Sequence, residues 1–132
     1  MTLGDVLTDV TAALRVVAPV HARTFLQPRG ALPAWPAIRL VVVSATPYPD
    51  ACGDGGDDGA DFRLQVDIAS EASDGETALQ TLRASVMAAM AGLGSEYVWD
   101  GEFNDFDVET KTLRCSLDYL VHLSTDPPGS PA

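Results

Sequence analysis

Basic residues, cysteines and long apolar runs are all scarce in this sequence. Eight Lys and Arg side chains stand against nineteen Asp and Glu, a formal net charge of −11 over 132 residues. A surface of that sign repels phosphate, which argues against nucleic acid as a tightly held ligand. Cys52 and Cys115 are the two cysteines and show no CxxC spacing, too few for a disulfide framework or a cysteine zinc site. No stretch approaches the roughly eighteen uninterrupted apolar residues that a membrane span needs. The opening MTLGDVLTDVTAALRVVAPV carries acids where a secretory signal carries bases, so a cytoplasmic chain without a leader is expected. HExxH, GxSxG and a lysine-bearing phosphate loop are absent as well, and His21 and His122 have no partners in sequence that would recruit them to catalysis. Both histidines read as surface or packing residues, and no enzyme is expected.

What is present is an ordinary globular composition: 46% hydrophobic and 20% charged residues, sufficient for one core in one domain. The charge is unevenly placed. Residues 1–45 hold Asp5 and Asp9 against Arg15, Arg23, Arg29 and Arg39, net +2; residues 46–132 hold seventeen acids against four bases, net −13. Halves of unlike sign suit head-to-tail association, although a solvated acidic surface needs no partner.

Periodicity gives the elements. Leu3, Val6, Leu7, Val10, Leu14 and Val17 recur at helical spacing, with Thr2 and Asp5 as a capping-box-like start and Pro19 as the stop. Three prolines and a glycine keep Phe25–Ile38 irregular. Ala37–Ala45 is a β-branched run that reads as a central strand. In DFRLQVDIA, Phe62, Leu64, Val66 and Ile68 alternate with polar neighbours, giving one packed face and one that is wet or meets another subunit. Ser73 and Glu76 form a capping box for a second helix marked by Leu79, Leu82, Val86, Met90 and Leu93, ending at Gly92 or Gly94. A short strand around Tyr97, Val98 and Trp99 follows. KTLRCSLDYLVHL then places Leu113, Cys115, Leu117, Tyr119, Val121 and Leu123 on one face of a long strand. The expected fold is α+β: a mainly antiparallel sheet of about four strands, with two helices on one face, over residues 1–123. Residues 124–132, with three prolines and no apolar periodicity, read as a flexible tail.

The stretch CGDGGDDGAD packs four aspartates and four glycines into Cys52–Asp61. An EF-hand register beginning at Asp54 puts Gln65 where the bidentate carboxylate belongs, and no helix flanks it, so the calcium motif fails. No lysine or helix follows the glycines, so they do not cradle a phosphate. Asp54, Asp57, Asp58 and Asp61 therefore read as the solvated tip of a hairpin between the first two long strands. No cofactor and no metal site is expected. Cys115 reads as a small core residue and Cys52 as an unactivated loop thiol. Trp35 and Trp99 read equally as core residues or as interface anchors.

The N-terminal helix, the loop PRGALPAWPAI entering a strand, RLQVDIAS before a capped helix and the ending DVETKTLRCSLDYLVHL together resemble the tail terminator (tail completion) family of long-tailed bacteriophages, prophages and gene transfer particles. The resemblance covers about Leu3 to Leu123. It implies a structural virion protein without catalysis: a six-membered ring capping the head-proximal end of the tail tube, ending tube polymerisation and meeting the head connector. Implied partners are the chain itself, the tail tube protein and the head-tail connector or neck protein, with DNA only in passage through the lumen. The implied setting is the virion, assembled in the bacterial host cytoplasm. Arg29, Trp35 and Trp99 are the candidates for subunit or partner contact, and Asp54, Asp57, Asp58 and Asp61 for a lumen or axial acidic surface. A head-completion or neck connector protein, or a monomeric acidic calcium-binding module, are the alternative readings.

Overall fold

The computed structural model describes residues 3–21, 36–47, 59–108 and 111–123. Within them the order is α1 (Leu3–Arg15), β1 (Val20–His21), β2 (Ala37–Pro47), β3 (Ala60–Glu71), a 3-10 turn (Ala72–Asp74), α2 (Gly75–Ala91), β4 (Tyr97–Asp107) and β5 (Thr112–Leu123). The strands form one sheet in the order β1-β2-β3-β5-β4. All long pairs are antiparallel, and only the two-residue β1 runs parallel to its neighbour. The α+β architecture is thus the expected one, with the short β1 added at one edge.

Both helices lie on the same face of the sheet. Val6, Val10 and Leu14 from α1, with Leu79, Val86 and Met90 from α2, join Ile38, Leu64, Val66, Ile68, Cys115, Leu117 and Val121 in one buried cluster. The residues are those the three-to-four and two-residue periods select, because only these spacings bring apolar side chains to one side of a helix or a strand. α1 stops earlier than Pro19. Val17 and Ala18 fold their amide groups back to the Leu14 carbonyl, and the Pro19 carbonyl accepts the Ile38 amide at 2.9 Å. Proline disfavours helical geometry in the residue before it, so the chain has already turned toward β1 when it reaches Pro19.

Three expectations are corrected. β2 is not central along its length: β1 pairs only with Ile38 and Arg39, and beyond them the strand's hydrogen-bonded neighbour among the described residues is β3. A bulge between Val42 and Ser44 breaks its apolar run, leaving Val43 half exposed. The Ser73–Glu76 capping box does not form. Ser73 lies in the 3-10 turn and its hydroxyl donates to the Glu71 carboxylate at 3.3 Å, while α2 starts after Asp74 with no side-chain cap. β4 is 11 residues long rather than short. Its segment DGEFNDFD hides from a periodicity reading because an edge strand, partly wet on both faces, has little reason to alternate. At the other end of α2 Gly92 stays helical, and the chain reverses at Gly94, whose φ of +133° an L side chain rarely adopts.

β2 and β3 form the stem of the expected hairpin, with register running out to Pro47↔Ala60. The expected tip, including Cys52, Asp54, Asp57 and Asp58, lies outside the described residues, as do the Thr2 cap, Arg29, Trp35 and the tail 124–132.

Candidate interaction surface

The face of the sheet opposite the helices is covered by no helix among the described residues, and the register fixes what it presents. Arg39↔Asp67, Ser44↔Arg63 and Thr46↔Asp61 link β2 to β3 on this side, while Asp67↔Ser116, Ser116↔Phe103 and Arg114↔Asp105 carry the rows on through β5 to β4. The second face of β3 is therefore only partly wet. Asp67 is buried, held by the Arg39 Nε at 2.7 Å and the Gln65 amide at 2.6 Å, and Ala37 and Ala69 pack beside it. Elsewhere the face is laced by looser pairs: Arg63 with Asp100 at 2.9 Å, Arg114 with Asp105 at 3.4 Å, and His122 Nδ1 with Asp61 at 2.5 Å. Half-exposed pairs of this kind contribute little stability, on the order of 1 kcal/mol or less each.

A depression of about 130 Å³ sits on this face, lined by Arg39, Gln65, Asp67, Phe103, Asp105, Arg114 and Ser116. The Nε of Arg114 is buried there without an acceptor. A buried donor left unsatisfied costs about 1–3 kcal/mol, a cost that an acceptor brought by a partner would remove.

β4 is the outer edge of the sheet and its most apolar exposed part. Val98, Trp99, Phe103 and Phe106 on β4, with Val108 just past its end, account for five of the seven exposed large hydrophobic residues among those described, and Phe103 is 69% exposed. Phe103 and Val98 share the uncovered face with Ser116 and Leu120, whereas Trp99 and Phe106 pair with Tyr119 and Leu113 toward the helices. Trp99 is therefore an exposed side chain on an edge strand and not a core residue. The Arg83 guanidinium of α2 lies 5.8 Å from its ring centroid, a cation–π distance.

Arg83 also clasps Glu102, its Nε donating to both carboxylate oxygens at 3.0 Å. Glu102 follows a bulge between Trp99 and Glu102, at which Gly101 takes φ +125°. The bulge turns the carboxylate back toward α2. Hydrogen bonds from Arg83 hold Glu102 below the usual carboxylate range, and the same contact raises Arg83. The Cys115 thiol donates weakly to Glu102 at 3.6 Å. Burial first, and the Glu102 charge second, push that thiol up to about 12, so it stays protonated and is no nucleophile. Burial likewise raises Tyr97 and Tyr119. Among the described residues no group of three or more His, Cys, Asp or Glu is placed to hold a metal ion.

The surface thus combines exposed apolar side chains at its edge with ion pairs across its strands. A family model described as tail completion protein gp17 matches residues 6–123. The chain belongs to the tail completion protein gp17 family. The matched span begins at Val6, a buried residue of α1, and ends at Leu123, the last residue of β5, so the family pattern and the folded core coincide. Among solved structures, the fold is similar to a chain in the virion of a native gene transfer agent (GTA) particle, with a TM-score of 0.62 and 16% identity over 88% of this chain and 84% of that one. At that identity the likeness is one of fold. No curated protein matches the sequence. As a tail completion protein the chain is a structural component of a phage-type tail.

Of the residues singled out from sequence, the structure brings Asp61 to the hairpin stem beside His122 and Trp99 to the exposed edge. Asp54, Asp57, Asp58, Arg29 and Trp35 lie outside the described residues. Missed from sequence were the Arg39–Asp67 pair, the Arg83–Glu102 clasp and Phe103. The first is a cross-strand neighbour pair that depends on the β2–β3 register. The clasp joins two residues 19 positions apart, and nothing in the sequence marks it.

Proposed function

We propose that this tail completion protein forms a closed ring of six copies on the head-proximal end of the tail tube, stops tube polymerisation there and presents the surface on which the head connector docks. The observation that carries this reading is the concentration of exposed apolar side chains on the β4 edge, a surface of the kind that contacts between proteins cover. The family supports the tail setting and the gene transfer agent virion supports the fold. The acidic hairpin tip belongs in the same proposal. Asp61 marks the end of the sheet at which residues 48–58 join, and with Asp54, Asp57 and Asp58 it would give each copy a cluster of carboxylates on the lumen or an axial face. Carboxylates repel the phosphates of passing DNA and so favour transit over retention.

The test is the elongation of purified tail-tube subunits followed by light scattering. Added chain should halt growth at substoichiometric ratios. Binding to heads alone, with tube growth unchanged, would instead make the protein a neck component.

A further inference from the structure

We infer that neighbouring copies join through unlike sheet edges, β4 of one copy pairing antiparallel with β2 of the next. The inference rests on the ring reading above and names the contact that closes it. Past its bulge β4 offers an edge to a strand: Glu102–Asp107 contains no Pro or Lys and carries Phe103 and Phe106 on opposite faces. The backbone groups on its outer side follow from the register. The His122 amide donates to the Glu96 carbonyl, so even-numbered residues of β5 turn their backbone toward β4. With Ser116↔Phe103 and Arg114↔Asp105 in register, Phe103 and Asp105 point inward to β5; Asn104 turns its amide to the open edge, while the Phe106 amide there donates to the Asp105 carboxylate at 2.8 Å.

Charge selects the partner edge. β4 carries Asp100, Glu102, Asp105 and Asp107 and no base, while β2 carries Arg39 and no acid. Pairing β4 with a second β4 would set four carboxylates against four across one seam, an arrangement that like charges opposite each other destabilise. Arg63, Arg83 and Arg114 draw three of these acids inward, which leaves the backbone edge accessible, but the arginines stand on β3, α2 and β5 and do not reach across the seam. The β2 edge offers no such conflict. From Leu40 onward its described hydrogen-bonded neighbour is β3, and Val43 projects half exposed from the bulge.

Direction agrees as well. β2, β3, β5 and β4 alternate in direction across the sheet, so a copy placed by rotation next to β4 presents a β2 that runs antiparallel to it and keeps its helices on the same side. Two different edges on each copy make a heterologous contact, the kind that closes into rings.

Native mass spectrometry of the full chain with two edge-blocking variants tests this. Asn104→Pro removes only an outward amide, and Val43→Pro falls on the bulge residue that has no register partner in β3, so proline is tolerated at both. Wild type should form the ring, and each variant should remain a single chain. An equimolar mixture should give a two-chain particle and nothing larger, because one intact β4 edge and one intact β2 edge remain. Hydrogen exchange on the wild type needs no substitution: the amide of Asn104 should exchange more than about tenfold slower in the assembled form than in dissociated chains. A wild-type ring that Asn104→Pro leaves intact, or a variant mixture that stays monomeric, overturns the seam while the ring reading stands. Wild type that remains a single chain overturns both, and an unprotected Asn104 amide in the assembled form overturns the seam even if the variants misfold.

Discussion

The two faces of the sheet divide the work between them. Toward the helices, Val6, Leu14, Ile68, Leu117 and Val121 are fully buried, and nearly every position is decided by the need to exclude water. On the other side, arginines on β2, β3 and β5 pair with acids across the strands, and apolar side chains gather at the β4 edge. Ion pairs half open to solvent hold little free energy, whereas a buried aliphatic core holds much. Stability therefore resides on the covered face, leaving the uncovered face and its edge free to be shaped for contact.

The comparison can be broken most severely at the core. Ile68→Ala should cost about 4 kcal/mol, read as a shift in the denaturant midpoint, because the buried site loses packed methyl groups and cannot fully collapse. Asp67→Ala tests whether the uncovered face has one exception. It should cost about 3 kcal/mol, since it leaves the largely buried Arg39 guanidinium without its carboxylate. A cost under about 1 kcal/mol in the same denaturation assay would show that the pair behaves like the exposed ones.

Glu102→Gln, at the junction of α2 with the edge strand, should cost less than about 2 kcal/mol at neutral pH. Its pH dependence gives the sharper reading. Arg83 holds the folded carboxylate below its ordinary value of 4.5, so the stabilisation is fully present above that value and is lost as pH falls through the lower folded one. The difference between wild type and Glu102→Gln in urea midpoints should be flat above pH 4.5 and close below it. A difference that persists unchanged into acid would mean that the contact acts by packing and not by charge.

Much of the fold could be read from the sequence because the covered face is written in period. The spacing of Val6, Val10 and Leu14, and the alternation in β3 and β5, locate both helices and the two innermost strands. The edges were harder, since a strand with one neighbour is not forced to alternate. β4 hid behind its acids, and the three consecutive valines of β2 suggested a burial that the bulge at Val43 prevents. The interaction surface was legible only in outline. Trp99 was a visible candidate, but the exposure of Phe103 and the inward turn of Glu102 depend on a register and a bulge that local composition does not encode.

The most direct test of the tail-end assignment is electron microscopy of tail tubes grown with the purified chain, counting copies at each tube end. Six copies in a ring at one end of every arrested tube is the expected result. Bare ends, or the chain scattered along the tube wall, would contradict the account.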